Sequence, residues 1–257
     1  MLWFKKRRRK RLRSKIFPAE WLSILQRNVP YYHFLTSEDQ SELQGLIQVF
    51  LDEKKFEGCG GLEITDEIRV TIAAQACILL LGGVSNFYPR LYSIIVYPSA
   101  FVAKVHQRQS DGVVMEGLQP RLGESWSQGA IVLSWDDVLQ GASDMHDGHN
   151  LVYHEFAHQL DSESGTAKGA PRLPKPSMYI AWARVLTKEY QDLVDAVTNK
   201  HPYLLDRYGA TSPAEFFAVA TEFFFEKPNE LKSAHPDLYD QLRLFYRRDP
   251  ASFFENA

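Results

Sequence analysis

Asn150-Leu151-Val152-Tyr153-His154-Glu155-Phe156-Ala157-His158-Gln159-Leu160 is the stretch on which the reading of this chain turns. Leu151, Val152, Phe156 and Leu160 recur at helical rather than alternating spacing. Asp147-Gly148 upstream offers a cap and a loop, and Ser162 to Gly165 a stop. On a helix, residues four apart lie on one face about a turn apart, so the imidazoles of His154 and His158 can reach one metal ion. Glu155 then projects close to the open coordination position, where a metal-bound water needs a general base. H-E-x-x-H is the two-histidine zinc pattern, and one zinc per chain is expected. The competing reading is a buried helix whose histidines only pair with their neighbours.

A catalytic zinc takes a third protein ligand and keeps a fourth position for water. The short three-histidine pattern H-E-x-x-H-x-x-G-x-x-H is absent, since Asp161 and Gly169 do not fit it. A carboxylate on a downstream helix is the expected source. Tyr208-Gly209-Ala210-Thr211-Ser212-Pro213-Ala214-Glu215-Phe216-Phe217-Ala218-Val219-Ala220-Thr221-Glu222 sets Glu215 and Glu222 seven apart on one face of an aromatic-rich helix. Buried carboxylates are costly unless paired or metal-bound, so at least one should meet a cation. Ser212-Pro213-Ala214-Glu215 is also a capping box with proline at the first helical position, which alone would account for Glu215. A salt bridge or a supporting role would account for Glu222. These residues by themselves leave both open. Asp161, one turn past His158, is a candidate partner for a ligand imidazole or a solvated helix-end aspartate.

The rest of the chain supplies bounds. Its 257 residues suffice for a substantial core, and a make-up of 45% hydrophobic and 24% charged residues is that of a globular protein. The net charge of −3 conceals an asymmetry. Residues 1–16 carry nine Lys and Arg and no acid, which leaves 20 basic against 32 acidic side chains in the remainder. The first 16 residues read as a flexible basic arm. Such a tail is ordinarily solvated, but with Leu2, Trp3 and Phe4 it could make a weak contact with an anionic membrane. The acidic remainder shows no basic, aromatic-interleaved surface, so no specific nucleic acid is expected. Cys59 and Cys77 have no C-x-x-C partner, which suits a reducing compartment. Without a secretory h-region, and with Ile68 to Leu81 too short and polar for a span, the expected location is cytoplasmic. His146 and His149, just upstream of the motif, could touch substrate, although loop histidines are ordinarily solvated.

Patterning places helices at Trp21 to Leu25, Ser37 to Phe56 and, capped by Thr65 and ended by Gly82-Gly83, through the apolar run between. Short β-branched and aromatic runs follow at Leu91 to Tyr97, Phe101 to His106, Val113 to Glu116 and Ala130 to Trp135. Gly169 to Ser177 is a proline-rich loop, either rimming a cleft or simply connecting. Helices at about Met178 to Thr198 and Pro236 to Tyr246 close the chain. The expected fold is α+β rather than alternating βαβ. It has an arm over 1–16 and a single domain over 17–257: N-terminal helices 17–83, sheet and active-site helices 84–228, and a C-terminal helical part 229–257.

The motif HEFAHQLD and the element Tyr208-x6-Glu215-Phe216-Phe217-Ala218 together resemble the Mlc titration factor A family of zinc peptidases, as does Leu46 to Leu81. The resemblance runs from residue 40 or so to 228 and leaves out residues 1–16. The tyrosine-to-glutamate spacing is similar to that in the catalytic domain of anthrax lethal factor. These likenesses imply a zincin-like metallopeptidase domain, with a small twisted sheet packed on the H-E-x-x-H helix. They imply His154, His158 and Glu215 as zinc ligands, Glu155 as catalytic base and Tyr208 as hydrogen-bond donor to the developing oxyanion. Glu222 then takes a supporting role. Zinc peptidase folds in general suggest Ala130 to Trp135 as an edge strand that pairs with an extended substrate. The implied activity is aminopeptidase-like cleavage of peptides, with binding of the glucose repressor Mlc, and so control of sugar-uptake genes, as a second role. In the alternative, the chain sequesters a regulator and peptidase activity is secondary.

Overall fold

In the computed structural model, which describes residues 2–99, 102–108, 114–120, 129–165 and 168–254, the chain begins with α1 (Leu2–Arg13), α2 (Ala19–Asn28), a 3-10 helix (Pro30–Phe34) and α3 (Ser37–Glu53). β1 (Lys55–Gly58), α4 (Asp66–Ile78) and β2 (Ser93–Tyr97) follow, then β3 (Val102–Arg108), β4 (Val114–Pro120) and β5 (Ala130–Ser134). The remainder is helical: α5 (Trp135–Ser143), α6 (Leu151–Ser162), α7 (Met178–Thr198), α8 (Pro213–Glu226), α9 (Pro228–Ala234), α10 (Pro236–Tyr246) and α11 (Ala251–Phe254). Helix starts follow local chemistry. Thr36, Thr65, Ser134, Asn150 and Ser212 each accept a hydrogen bond from the backbone N–H three residues on, satisfying a donor that the first turn leaves unpaired.

The sheet departs from expectation. β1, β2 and β5 form three parallel strands in the order β1-β2-β5, and β3 and β4 form a separate antiparallel pair. Parallel neighbours need a crossover, and α4 lies within the one from β1 to β2, so part of the chain does alternate βαβ. β1 escapes a sequence reading because Lys55-Phe56-Glu57-Gly58 is short and largely exposed, with no apolar alternation. Of the expected strand residues, Phe101 and Val113 lie outside the described residues. β5 stands at the edge of its sheet among the described residues.

Where the sequence reads as an arm, most of the basic segment is helical. Residues 2–13 form α1, which packs along α3. Arg9 makes a two-pronged pair with Glu53, at 2.6 and 2.7 Å, and lies over the Phe87 ring. Arg8 pairs with Asp52 and Arg13 with Glu42. Acids more than 25 residues away in sequence thus order a run whose own composition favours repulsion.

The core centres on α8. Phe216, Phe217, Phe223, Phe224 and Phe225 are all buried, a burial that contributes roughly 2–3 kcal/mol per ring. α6 is held between two aromatic groups. Phe156 meets Tyr88 at 4.8 Å and Phe50 at 5.8 Å, and Tyr153 meets Phe225 at 5.3 Å. That packing fixes the rotation of α6, and with it the direction of its two histidines. Among the described residues no helix is long and apolar enough to cross a membrane.

Candidate metal centre

His154 and His158 sit one turn apart on α6, their rings 4.8 Å apart and nearly edge to face. Glu215 is the third residue of α8. Its backbone N–H is capped by Ser212, yet its carboxylate does not fold back onto the cap; it reaches across to α6. Glu215 Oε2 lies 3.0 Å from His154 Nε2 and 3.1 Å from His158 Nε2, and the two Nε2 atoms are 3.2 Å apart. Among the described residues these three form the group of His, Cys, Asp or Glu side chains able to hold a metal ion.

The triangle suits a small divalent cation. Ligand atoms at tetrahedral positions around zinc are about 3.3 Å apart, from metal–ligand distances near 2.0–2.1 Å. Three lone-pair atoms so close repel one another unless a proton or a cation lies between them. Glu222 Oε1 lies 2.7 Å from His154 Nδ1, and a carboxylate only accepts, so Nδ1 carries a proton and Nε2 is the nitrogen left to bind a proton or a cation in the triangle. The other oxygen of Glu222 accepts from Asn150 N at 2.7 Å. Asn150 is the N-cap of α6.

Charge in the site follows from burial and crowding. Burial alone would lower the His154 pKa, but hydrogen bonds to Glu215 and Glu222 outweigh it and lift it to about 10. His158 is held well below its usual value by burial and by the neighbouring His154 cation. In the absence of metal the triangle therefore holds a proton, on His154. Glu155 is almost wholly buried, and its Oε2 has no hydrogen-bond partner among the described residues. Burial pushes its pKa up to about 8; Glu215 and Glu222 add to the effect and His154 opposes it. A buried carboxyl group with a raised pKa beside a cluster of metal-ligand type is the kind of perturbed group that gathers at functional sites.

Tyr208 lies in a short 3-10 helix (Arg207–Ala210), with its ring 5.9 Å from that of His154 and half of its surface exposed. Burial first, then Glu215 and Glu155, raises its pKa, so the phenol stays protonated at neutral pH. His146 and His149 are exposed in the loop before α6; His149 comes no nearer than 3.9 Å to Asp206.

Asp161 differs from both expectations. It is fully buried, not solvated, and its two oxygens accept from Gly169 N at 2.7 Å and Ala170 N at 2.8 Å rather than from an imidazole. It ties the loop after α6 to that helix. Gly169 has φ +71°, donates to Asp161 and accepts from Trp182 Nε1. A methyl group there would stand 2.3 Å from Pro213 O, at the start of α8 and two residues before Glu215. The loop is thus braced against the start of α8.

Two features lay beyond the sequence reading. The contact of Glu222 with His154 had only its seven-residue offset from Glu215 as a signal. Glu226, one turn further along α8, is 2% exposed, with neither carboxylate oxygen hydrogen-bonded among the described residues. Only its place at the end of Phe223-Phe224-Phe225-Glu226 hinted at burial.

Residues 3–247 match the family described as glucose-regulated metallo-peptidase M90, a match that extends through α1 and beyond the residue 40 to 228 range of the resemblance. An uncharacterized protein of Synechocystis sp. is 43% identical over 244 residues, covering 95% of this chain and 89% of its own length. Mlc titration factor A of Serratia proteamaculans is 33% identical over 235 residues, covering 90% and 88%. The protein of that name from Salmonella arizonae is 32% identical over 237 residues, covering 91% and 93%.

Proposed function

The chain belongs to the glucose-regulated metallopeptidase M90 family, and from that premise we propose that it is a zinc-dependent, aminopeptidase-like enzyme that hydrolyses peptides. The observation that carries this reading is the triangle of His154 Nε2, His158 Nε2 and Glu215 Oε2, with edges of 3.0 to 3.2 Å. His154, His158 and Glu215 would hold the zinc. When bound, the ion supplies a water of lowered pKa and polarises the scissile carbonyl. Glu155, beside the two histidines on α6, would serve as general base and then as proton donor to the leaving amine. Tyr208, protonated and partly exposed beside His154, donates a hydrogen bond to the oxyanion as it develops. Glu222 holds His154 in the tautomer that ligates. β5, at its sheet edge, offers backbone groups to an extended substrate. Free cysteines Cys59 and Cys77 suit a cytoplasmic setting.

Metal analysis paired with cleavage of a peptide library tests the proposal. The purified chain should hold about one zinc, as a three-ligand catalytic site requires. Glu155→Gln should keep the metal and lose hydrolysis; an active variant would refute the mechanism.

A second reading rests on the relatives named Mlc titration factor A. In it, the chain binds an Mlc-like transcriptional repressor and so regulates sugar-uptake genes, with or without proteolysis. Capture of such a repressor by the Glu215→Ala variant would separate binding from catalysis.

A further inference from the structure

α1 has two faces of different fate. Arg8, Arg9, Leu12 and Arg13 lie on the side turned to α3, where the arginines are neutralised by Asp52, Glu53 and Glu42 and Leu12 is buried. Trp3, Arg7, Lys10 and Arg11 fall at i, i+4, i+7 and i+8, one stripe of the opposite face, flanked by Phe4 and Lys6. All six are exposed. Lys6, Arg7, Lys10 and Arg11 have no ion pair among the described residues, so this stripe carries four uncompensated positive charges. At its N-terminal end, Trp3 is 62% exposed, Phe4 71% and Tyr92, which lines the same cleft as Phe4, 66%.

We propose that this outer face of α1 docks the protein on an anionic lipid bilayer. Three observations support docking on a bilayer, and the second favours it over a nucleic acid. The helix is already folded and its inner charges are already satisfied, so docking costs little ordering. The aromatic residues cluster at one end, where they can enter the interfacial layer, while the cations run along the helix to meet lipid phosphates. The rest of the chain is acidic and confines attraction to this one face. The helix is about 18 Å long, at 1.5 Å per residue, and would lie along the surface without crossing it.

Co-sedimentation of the full chain with vesicles of phosphatidylcholine, alone or mixed with phosphatidylglycerol, tests the proposal. The chain should sediment only with the phosphatidylglycerol vesicles and be released by salt. Each cation near such a surface contributes about fivefold to partitioning, so K6Q/R7Q/K10Q/R11Q should bind more than about a hundredfold more weakly. W3A/F4A should lose at least about tenfold, from the apolar area it removes. K188Q, a surface cation paired with Asp192 elsewhere, should bind as the unaltered chain does. All the altered side chains are exposed, and unchanged circular dichroism would show that folding is intact. Failure of the unaltered chain to sediment, or full binding by the fourfold variant, would overturn the proposal. So would a polyanion result, in which W3A/F4A binds normally and polyuridylate strips the protein from vesicles.

Discussion

His154 Nδ1 and Glu222 Oε1 meet at 2.7 Å across the packed faces of α6 and α8. The same carboxylate accepts from the backbone of Asn150, the residue that caps α6. One side chain on α8 therefore touches both the residue that caps α6 and the His154 nitrogen that faces away from Glu215. The third candidate ligand lies seven residues earlier on the same helix. If these residues hold a metal as proposed, its affinity should depend on the α6–α8 contact.

Replacing Glu222 by Gln leaves one acceptor where two are needed, and sets an amide N–H₂ against either Nδ1–H or Asn150 N–H. Metal affinity should fall about 10- to 100-fold, the usual effect of losing the group that orients a ligand histidine. Glu215→Ala should lose more. Competition with a chromophoric chelator measures both; an unchanged Glu222→Gln would remove its orienting role.

Metal uptake should release a proton. With its folded pKa lifted to about 10, His154 is charged at neutral pH in the absence of metal, and a cation at Nε2 must displace that proton. Affinity should therefore rise with pH through the neutral range. Calorimetry in buffers of different ionisation heat should count about one proton released per ion at pH 7. A count of zero would contradict the protonated triangle.

Glu226 sets a second pH dependence, one of stability. Burial, chiefly, and then Glu222 and Asp147 raise its pKa to about 9, with the Asn150 side chain opposing. A carboxyl group whose folded pKa lies above its unfolded value of about 4.3 binds its proton more tightly when folded. Stability is then complete below that unfolded value and is lost as pH rises toward about 9. Glu226→Gln mimics the neutral form. It should match the unaltered chain near pH 4 and melt several degrees higher at pH 8, a change on the order of 1 kcal/mol or more. Equal melting at both values would show that Glu226 finds a partner on folding.

Gly169→Ala meets both a left-handed backbone and Pro213 O, 2.3 Å from the added methyl. Urea unfolding should show a loss of more than about 1 kcal/mol. Because Pro213 opens the helix that carries Glu215, metal should also bind more weakly. Loss of stability with full metal affinity would show that the brace does not reach the site.

Much of the site was legible because its chemistry is local. The four-residue offset of His154 and His158, the caps at Thr65 and Ser212, and the proline at Pro213 each depend on residues within one helical turn. What stayed hidden depends on partners distant in sequence. Nothing near residues 5–13 indicates that Asp52 and Glu53 would order that run as a helix. β1 exists only because β2 pairs with it, and four largely exposed residues cannot announce a parallel neighbour. Glu215 and Glu222 share one face of α8, so spacing alone assigns them no different roles. Their difference appears only when α6 packs against them: one meets the two Nε2 atoms, the other Nδ1.

The way α1 is fastened also has a consequence for its motions. Leu12 is its one buried apolar side chain among the described residues, and ion pairs near a surface contribute about 1 kcal/mol or less apiece. A helix attached mainly by charge opens at a free energy far below that of the Phe-rich interior. Its amide protons should exchange first in deuterated buffer, faster still as ionic strength rises, while those of α8 wait for global unfolding.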